Sequence, residues 1–251
     1  HGYGEAHFNK PKNGAMTHRE GDEADIHRFV LGWGYKFSDT IRLDTEVDYE
    51  HAASELELEY MHLDFDVAPG LTIRTGNLLM PVGPLNEFHE PPLFYSVERP
   101  ATMNSIIPTT WQENGVGVVG RAFDDRLSYR TYIVTGLDAE KFTTMDGVRK
   151  GRSHGAESKA DDLAWTGRLE YGPLPGLALG GSFYTGGADQ DYGELGSVRV
   201  DILEVDARYR WSGFDFRGLY ARVNLTNADE VSTVTGSTIG EGSEGWYLEA
   251  A

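Results

Sequence analysis

Cysteine is absent from the 251 residues, so no disulfide framework, thiolate metal site or covalent haem attachment can exist. No run of about 18 apolar residues occurs, which excludes a transmembrane helix. Bases are in deficit, 22 against 40 acids for a formal net charge of −18, so no basic surplus is available to neutralise phosphates and nucleic acid is not expected as a partner. The sequence also lacks His-Glu-x-x-His and a Gly-x-x-x-x-Gly-Lys phosphate loop. Acid pairs are too frequent to single out a catalytic dyad. No catalytic residue, metal site or cofactor is expected, and the chain reads as a non-enzyme. The segment His1-Gly2-Tyr3-Gly4 has no basic end, apolar core or cleavage site, so it is not a signal peptide.

What is abundant is glycine, at 31 residues, and aromatics, at 12%. The pattern is alternation. In Ile41–Glu50, Ile41, Leu43, Thr45, Val47 and Tyr49 share one face, and Arg42, Asp44, Glu46, Asp48 and Glu50 share the other. Period two over this length is a strand with one apolar face. His27, Phe29, Leu31, Trp33, Tyr35 and Phe37 form a similar face before it, opposite Arg28 and Lys36. Leu56–Val67 changes parity, which predicts a bulge near Tyr60. Phase also slips near Ile202-Leu203 and at Gly218. Further strands are read at Tyr3–Phe8, Leu71–Asn77, Gly115–Phe123, Leu127–Gly136, Leu163–Tyr171, Leu177–Thr185, Val198–Trp211, Phe214–Asn224 and Gly245–Ala251. Asn9–Asp25, Leu137–Asp162 and Leu225–Glu244 read as polar loops.

This gives about twelve strands. Short turns at Ser38, Pro69, Asp124, Pro173 and Ser212 alternate with longer connections. Segregation of turn length by end is a property of outer-membrane barrels. With bulges allowed, Arg28, Lys36, Arg42, Arg74, Arg121, Arg130, Arg168, Arg208 and Arg217 all fall opposite the apolar face. A lipid-facing Arg or Lys at mid-membrane costs about 2–4 kcal/mol. The expected fold is therefore all-β: an antiparallel transmembrane β-barrel forming a single domain over residues 1–251.

The proline- and aromatic-rich stretch between Gly76 and Gly120 is too long for a plain connection and calls for a functional reason. We read residues 80–113 as an inward-folded lumen loop. Its motifs, Gly76-Asn-Leu-Leu-Met-Pro-Val-Gly83, Asn86-Glu-Phe-His-Glu-Pro-Pro92, Val97-Glu-Arg-Pro100, Ile107-Pro-Thr-Thr-Trp111 and Gly115-Val-Gly117, resemble bacterial outer-membrane porins of the phosphate-selective porin O and P-like superfamily. His27-Arg-Phe-Val-Leu-Gly32 and Gly245-Trp-Tyr-Leu-Glu249 fit the same pattern. The resemblance implies a barrel of about sixteen strands, of which about twelve are visible, and hence a chain incomplete at its C-terminus. It also implies a bacterial outer-membrane location, with small hydrophilic solutes or ions and outer-membrane lipid as partners. A homotrimer, or association with another envelope component, is a further expectation. Phosphate selectivity is not carried over, because Asp44, Glu46, Asp48, Glu50, Glu57 and Glu59 form an acidic wall where the namesakes have a basic lumen.

The pore-lining candidates are Arg28, Arg42, Asp44, Glu46, Asp48, Arg74, Glu87, His89, Glu90, Arg99, Arg121, Arg130 and Arg168. Charged walls of this kind select ions, but the same residues also serve as internal salt bridges of a wet wall. His89-Glu90 is a weak metal signal, better read as a loop anchor, and Arg99 is better read as paired with an acidic residue. Asp189, Asp191 and Glu194 lack the spacing of a calcium loop and read as solvated. Asn224-Leu-Thr226 matches a glycosylation acceptor that a bacterial barrel does not normally use. The function expected is a passive diffusion channel. The alternatives are a plugged structural or partner-binding barrel and a soluble glycan-binding β-sandwich.

Overall fold

A computed structural model describes residues 1–9, 23–88 and 100–251. Among the described residues, twelve strands form one antiparallel meander in which each pairs only with its sequence neighbours. They are β1 (Gly2–Asn9), β2 (Glu23–Lys36), β3 (Ile41–Glu50), β4 (Glu55–Ala68), β5 (Leu71–Leu79) and β6 (Gln112–Ala122). β7 (Leu127–Thr135), β8 (Leu163–Leu174), β9 (Leu177–Gly187), β10 (Arg199–Trp211), β11 (Phe214–Leu225) and β12 (Gly242–Ala250) follow. β1 and β12 are the two edges of this sheet. A sandwich needs two packed sheets, so one sheet with sequential pairing excludes it. No helix among the described residues is long and apolar enough to cross a membrane.

The two faces of the sheet differ sharply. One carries exposed apolar side chains on nearly every strand, including Trp33, Leu56, Ile133, Trp165, Leu203 and Leu248. Aromatic residues concentrate at its two margins. Tyr35, Phe37, Phe123, Tyr171, Tyr209, Trp211, Phe214 and Phe216 are exposed near the short turns, and Trp165 and Trp246 near the longer connections. The other face holds the buried residues.

Register explains most of the pattern. β4 has one extra residue, Glu59, because Glu46 pairs with Tyr60 and Val47 with Leu58. This is the bulge expected near Tyr60. A second bulge was not anticipated: Glu5 pairs with Arg28 and Ala6 with Ile26, which leaves His27 unpaired. It turns His27 away from the apolar face on which simple alternation placed it, and Ile26 is exposed instead. The slips expected near Ile202-Leu203 and at Gly218 do not occur, since β10 and β11 pair without interruption from Val200↔Leu225 to Trp211↔Phe214. Val200, Ile202, Leu219, Ala221 and Val223 face inward because something apolar covers them.

That cover is the β5–β6 connection. Met80, Val82, Met103, Ile107 and Trp111 are all fully buried and share one cluster with Tyr132, Val134, Ala164, Tyr184 and the inner residues of β10 and β11. Burying a side chain of this size stabilises by about 1.5–3 kcal/mol. The inner face is thus zoned. On β7–β11 it is apolar towards the longer connections and charged towards the short turns, whereas on β3 and β4 charges run along its length.

Two connections hold structure where polar loops were expected. The β7–β8 connection buries Leu137, Ala139 and Phe142. The β11–β12 connection contains a helix, α2 (Ala228–Thr235), with Ala228 and Val231 buried. β2 begins at Glu23, inside the stretch read as loop up to Asp25. Asp189, weighed as a calcium ligand, accepts from Val198 N at 2.9 Å, while Asp191 and Glu194 are exposed.

Candidate functional site

The β5–β6 connection leaves the wall at a kink. Gly76 has φ +138°, and a Cβ there would stand 2.2 Å from Met61 O, so only glycine fits. Above the Met61↔Asn77 pair, β5 no longer follows β4.

Asn86 closes the neck of the connection. Its Nδ2 donates to Met80 O at 2.7 Å and Trp111 O at 2.8 Å, and Trp111 N donates to its Oδ1 at 3.0 Å. Met80 N donates directly to Trp111 O at 2.9 Å. Asn86 is fully buried, and an amide is suited to this place because it offers two donors and an acceptor at once. Beyond the neck, the short helix α1 (Thr102–Ser105) lies against Gly245 of β12, where an added Cβ would meet Ile106 and Thr102 within 3.4 Å. The described parts of the connection therefore run across the inner face from β5 to β12.

A chain of charge-assisted bonds fastens it. Arg130 donates to Glu87 at 2.5 Å through Nε and to Glu170 at 2.6 Å through Nη2. Arg168, directly opposite Arg130 in the β7–β8 register, donates to Glu204 at 3.1 Å and to Asp206 at 2.6 Å. Like charges opposite one another destabilise a sheet, and these carboxylates offset that repulsion. Ser182 donates to Glu204 at 2.6 Å and accepts from Gly83 N at 2.9 Å. Both ends of the network, Gly83 and Glu87, belong to the same connection.

A second clasp uses the β7–β8 connection. Glu113 is fully buried and accepts from Trp111 Nε1 at 3.1 Å, Thr135 Oγ1 at 3.0 Å and Ser153 N at 3.0 Å, and from the Ser153 hydroxyl. Arg152 donates to the carbonyls of Thr109 and Thr110. Burial, reinforced by Arg149, draws its guanidinium down to about 10. His154 beside it is drawn down to about 4, first by burial and then by the Arg152 charge.

Facing Glu87 is the charged wall. Register places Asp64 opposite both Arg42 and Arg74. Arg74 holds Asp64 through two bonds, of 2.8 and 2.9 Å, and Arg42 donates to Asp66. Arg28 lies 3.5 Å from both Glu5 and Asp48 and 3.1 Å from Glu50. Glu46 is within 2.9 Å of His1 Nε2. A cavity of about 290 Å³ separates the wall from the connection, lined by Asp44, Tyr60, His62, Arg74, Leu78, Leu79, Glu87 and Tyr132. Among the described residues no ion pair engages Asp44.

Of the thirteen sequence candidates, Asp44, Arg74 and Glu87 line this cavity. Arg42 adjoins it through Asp64. Arg130 and Arg168 belong to the fastening network, and Arg28, Glu46 and Asp48 lie further along the β2–β3 wall. Arg121 is exposed at the short-turn end, away from the others. His89, Glu90 and Arg99 lie outside the described residues. Sequence reasoning gave no role to Asn86, Glu113, Arg152 and Ser182, each of which has a partner more than twenty residues away.

No family model matches the chain. An uncharacterized protein of Aquifex aeolicus (strain VF5) is 34% identical over 270 aligned positions, which cover all of this chain and 60% of that protein. Among solved structures, Salmonella typhi OmpF in complex with daunomycin superposes with a TM-score of 0.59 at 12% identity, over 98% of this chain and 71% of that one. An anion-selective porin from Comamonas acidovorans gives a TM-score of 0.57 at 11% identity, over 91% of this chain and 66% of that one. The fold is that of an outer-membrane porin barrel wall.

Proposed function

We propose that the protein is an outer-membrane diffusion channel for small hydrophilic solutes or ions, narrowed by the 80–113 connection acting as a lumen loop. The observation that carries this reading is the cavity between Glu87 and the Asp44–Arg74 wall. A polar, charge-lined gap beside a fastened loop is what a selective constriction requires. The exposed apolar face with aromatic margins supports a bilayer as its surroundings. The two open sheet edges, and the 60% share of the Aquifex protein that the chain spans, support a larger ring of about sixteen strands. The Gly76–Gly117 motifs remain the basis for an O and P-like porin relationship, and trimers fit the same reading.

The arginines Arg42, Arg74, Arg130 and Arg168 are each held by carboxylates, whereas Asp44 is engaged by no ion pair among the described residues. The field in the gap is therefore mildly negative, and cations are preferred. A plugged barrel is the second reading, favoured by the fully buried Met80, Met103 and Trp111.

Because the chain has no cysteine, Asp44→Cys gives a single reactive thiol. A positively charged thiol reagent should lower ionic conductance in this variant and leave the parent unaffected. An unaltered current after complete labelling would remove the constriction from this place, and no current in either protein would favour the plugged barrel.

A further inference from the structure

The rim of β1, β2 and β3 at the end of the longer connections carries three imidazoles and two carboxylates. Asp25 and His27 are two residues apart on β2, and Glu5 and His7 are two apart on β1. The β2 bulge turns the His27 ring inward, where it stacks on His7 with centroids 4.3 Å apart. The backbone brings His51 to the same spot. The turn after β3 has left-handed φ at His51, Ala52 and Ala53 (48°, 55° and 68°), and His51 N donates to His27 O at 3.0 Å.

Asp25 Oδ2 lies 2.8 Å from His51 Nδ1 and 3.3 Å from His27 Nδ1. One donor atom from each of Asp25, His27 and His51 lies within 4.8 Å of the others, and Glu5, His7 and His27 form a second such group. Four ligands at about 2.05 Å around a tetrahedral ion stand about 3.3 Å apart, so the Asp25–His27 pair already has that spacing and the Asp25–His51 pair needs only slight opening. All three side chains are partly exposed, at 20–41%, which leaves a path of entry. Ordinary histidine–carboxylate hydrogen bonds account for each pair alone. They do not account for donors from β2 and from the turn after β3 meeting at one point beside a third histidine.

We propose that Asp25, His27 and His51 form a binding site for a divalent transition-metal ion of the Zn²⁺ class, bordered by Glu5 and His7. Two imidazoles and a carboxylate suit a borderline ion over Mg²⁺ or Ca²⁺, which prefer oxygen. The bound ion staples β2 to the β3–β4 turn. The site stands independently of the channel reading.

The test is Zn²⁺ titration by calorimetry of the full chain in detergent, with Co²⁺ absorption as the report on geometry. One saturable site is expected, with a tetrahedral Co²⁺ spectrum. His27→Ala, His51→Ala and the near-isosteric Asp25→Asn should each lower affinity by about tenfold or more, and His1→Ala should not. Circular dichroism of each variant separates lost ligation from lost folding, and Asp25→Asn keeps the rim intact. Absence of saturable binding, or equal affinity in correctly folded His27→Ala, would overturn the proposal.

Discussion

Arg130 Nε donates to Glu87 Oε2 at 2.5 Å, joining the wall at β7 to the connection that crosses the inner face. Both side chains are only 13% exposed. The pair therefore acts as a fastening and belongs to a network that returns to the same connection at Gly83.

Removing one partner of a buried pair leaves a charge uncompensated, at a cost of about 3–5 kcal/mol. Arg130→Met should lower stability by that order in urea unfolding. Adding Glu87→Gln should recover part of it, with a coupling of about 1–3 kcal/mol in the double-mutant cycle. Additive effects would show that the two do not interact.

Asn86 satisfies two carbonyls and one N–H that have no access to water. Asn86→Ala leaves Met80 O and Trp111 N unpaired, while Trp111 O keeps its bond from Met80 N, so a loss of about 2 kcal/mol or more is expected. Asn86→Asp should be worse, because a carboxylate would face two carbonyl oxygens. Thermal unfolding of the two variants checks both the size and the order.

Acid should loosen the second clasp. His154 is held down to about 4 by burial and by Arg152, from an ordinary value of 6.5. Its folded value is below its unfolded one, so its contribution is complete above about 6.5 and is lost as pH falls from there through about 4. The unfolding midpoint should drop across that window, and His154→Gln should flatten the slope. An unchanged slope would separate His154 from acid sensitivity.

The exposed face makes its own prediction. Leu203 points outward at the middle of β10. Leu203→Arg should cost about 2–4 kcal/mol for folding into lipid vesicles, and Leu203→Ala should cost less. Equal costs for the two would argue that this face does not meet lipid.

Much of the wall was legible because strand chemistry is local. The alternation of Ile41–Glu50 gave the polarity of the sheet, and the parity change before Met61 put the bulge near Tyr60, one residue from Glu59. Simple alternation failed where the inner face stops being polar. Val200, Ile202 and Val223 mimic a phase slip because Met80, Met103, Ile107 and Trp111 cover them from a distant part of the chain. His27 failed for a related reason, since its bulge is set by pairing with β1 and not by its own strand. The clasp residues Asn86, Glu113 and Arg152 were unreadable because their partners come from other turns of chain. α2 is only eight residues long and rich in Ser, Thr and Val, which makes its propensity weak.

The channel claim is tested most directly by planar-bilayer recording of the full chain under a salt gradient. The expected result is a steady conductance with a reversal potential displaced modestly towards that of the cation. A bilayer as insulating with the protein as without it would contradict transport, and a reversal potential on the anion side would contradict the acidic constriction.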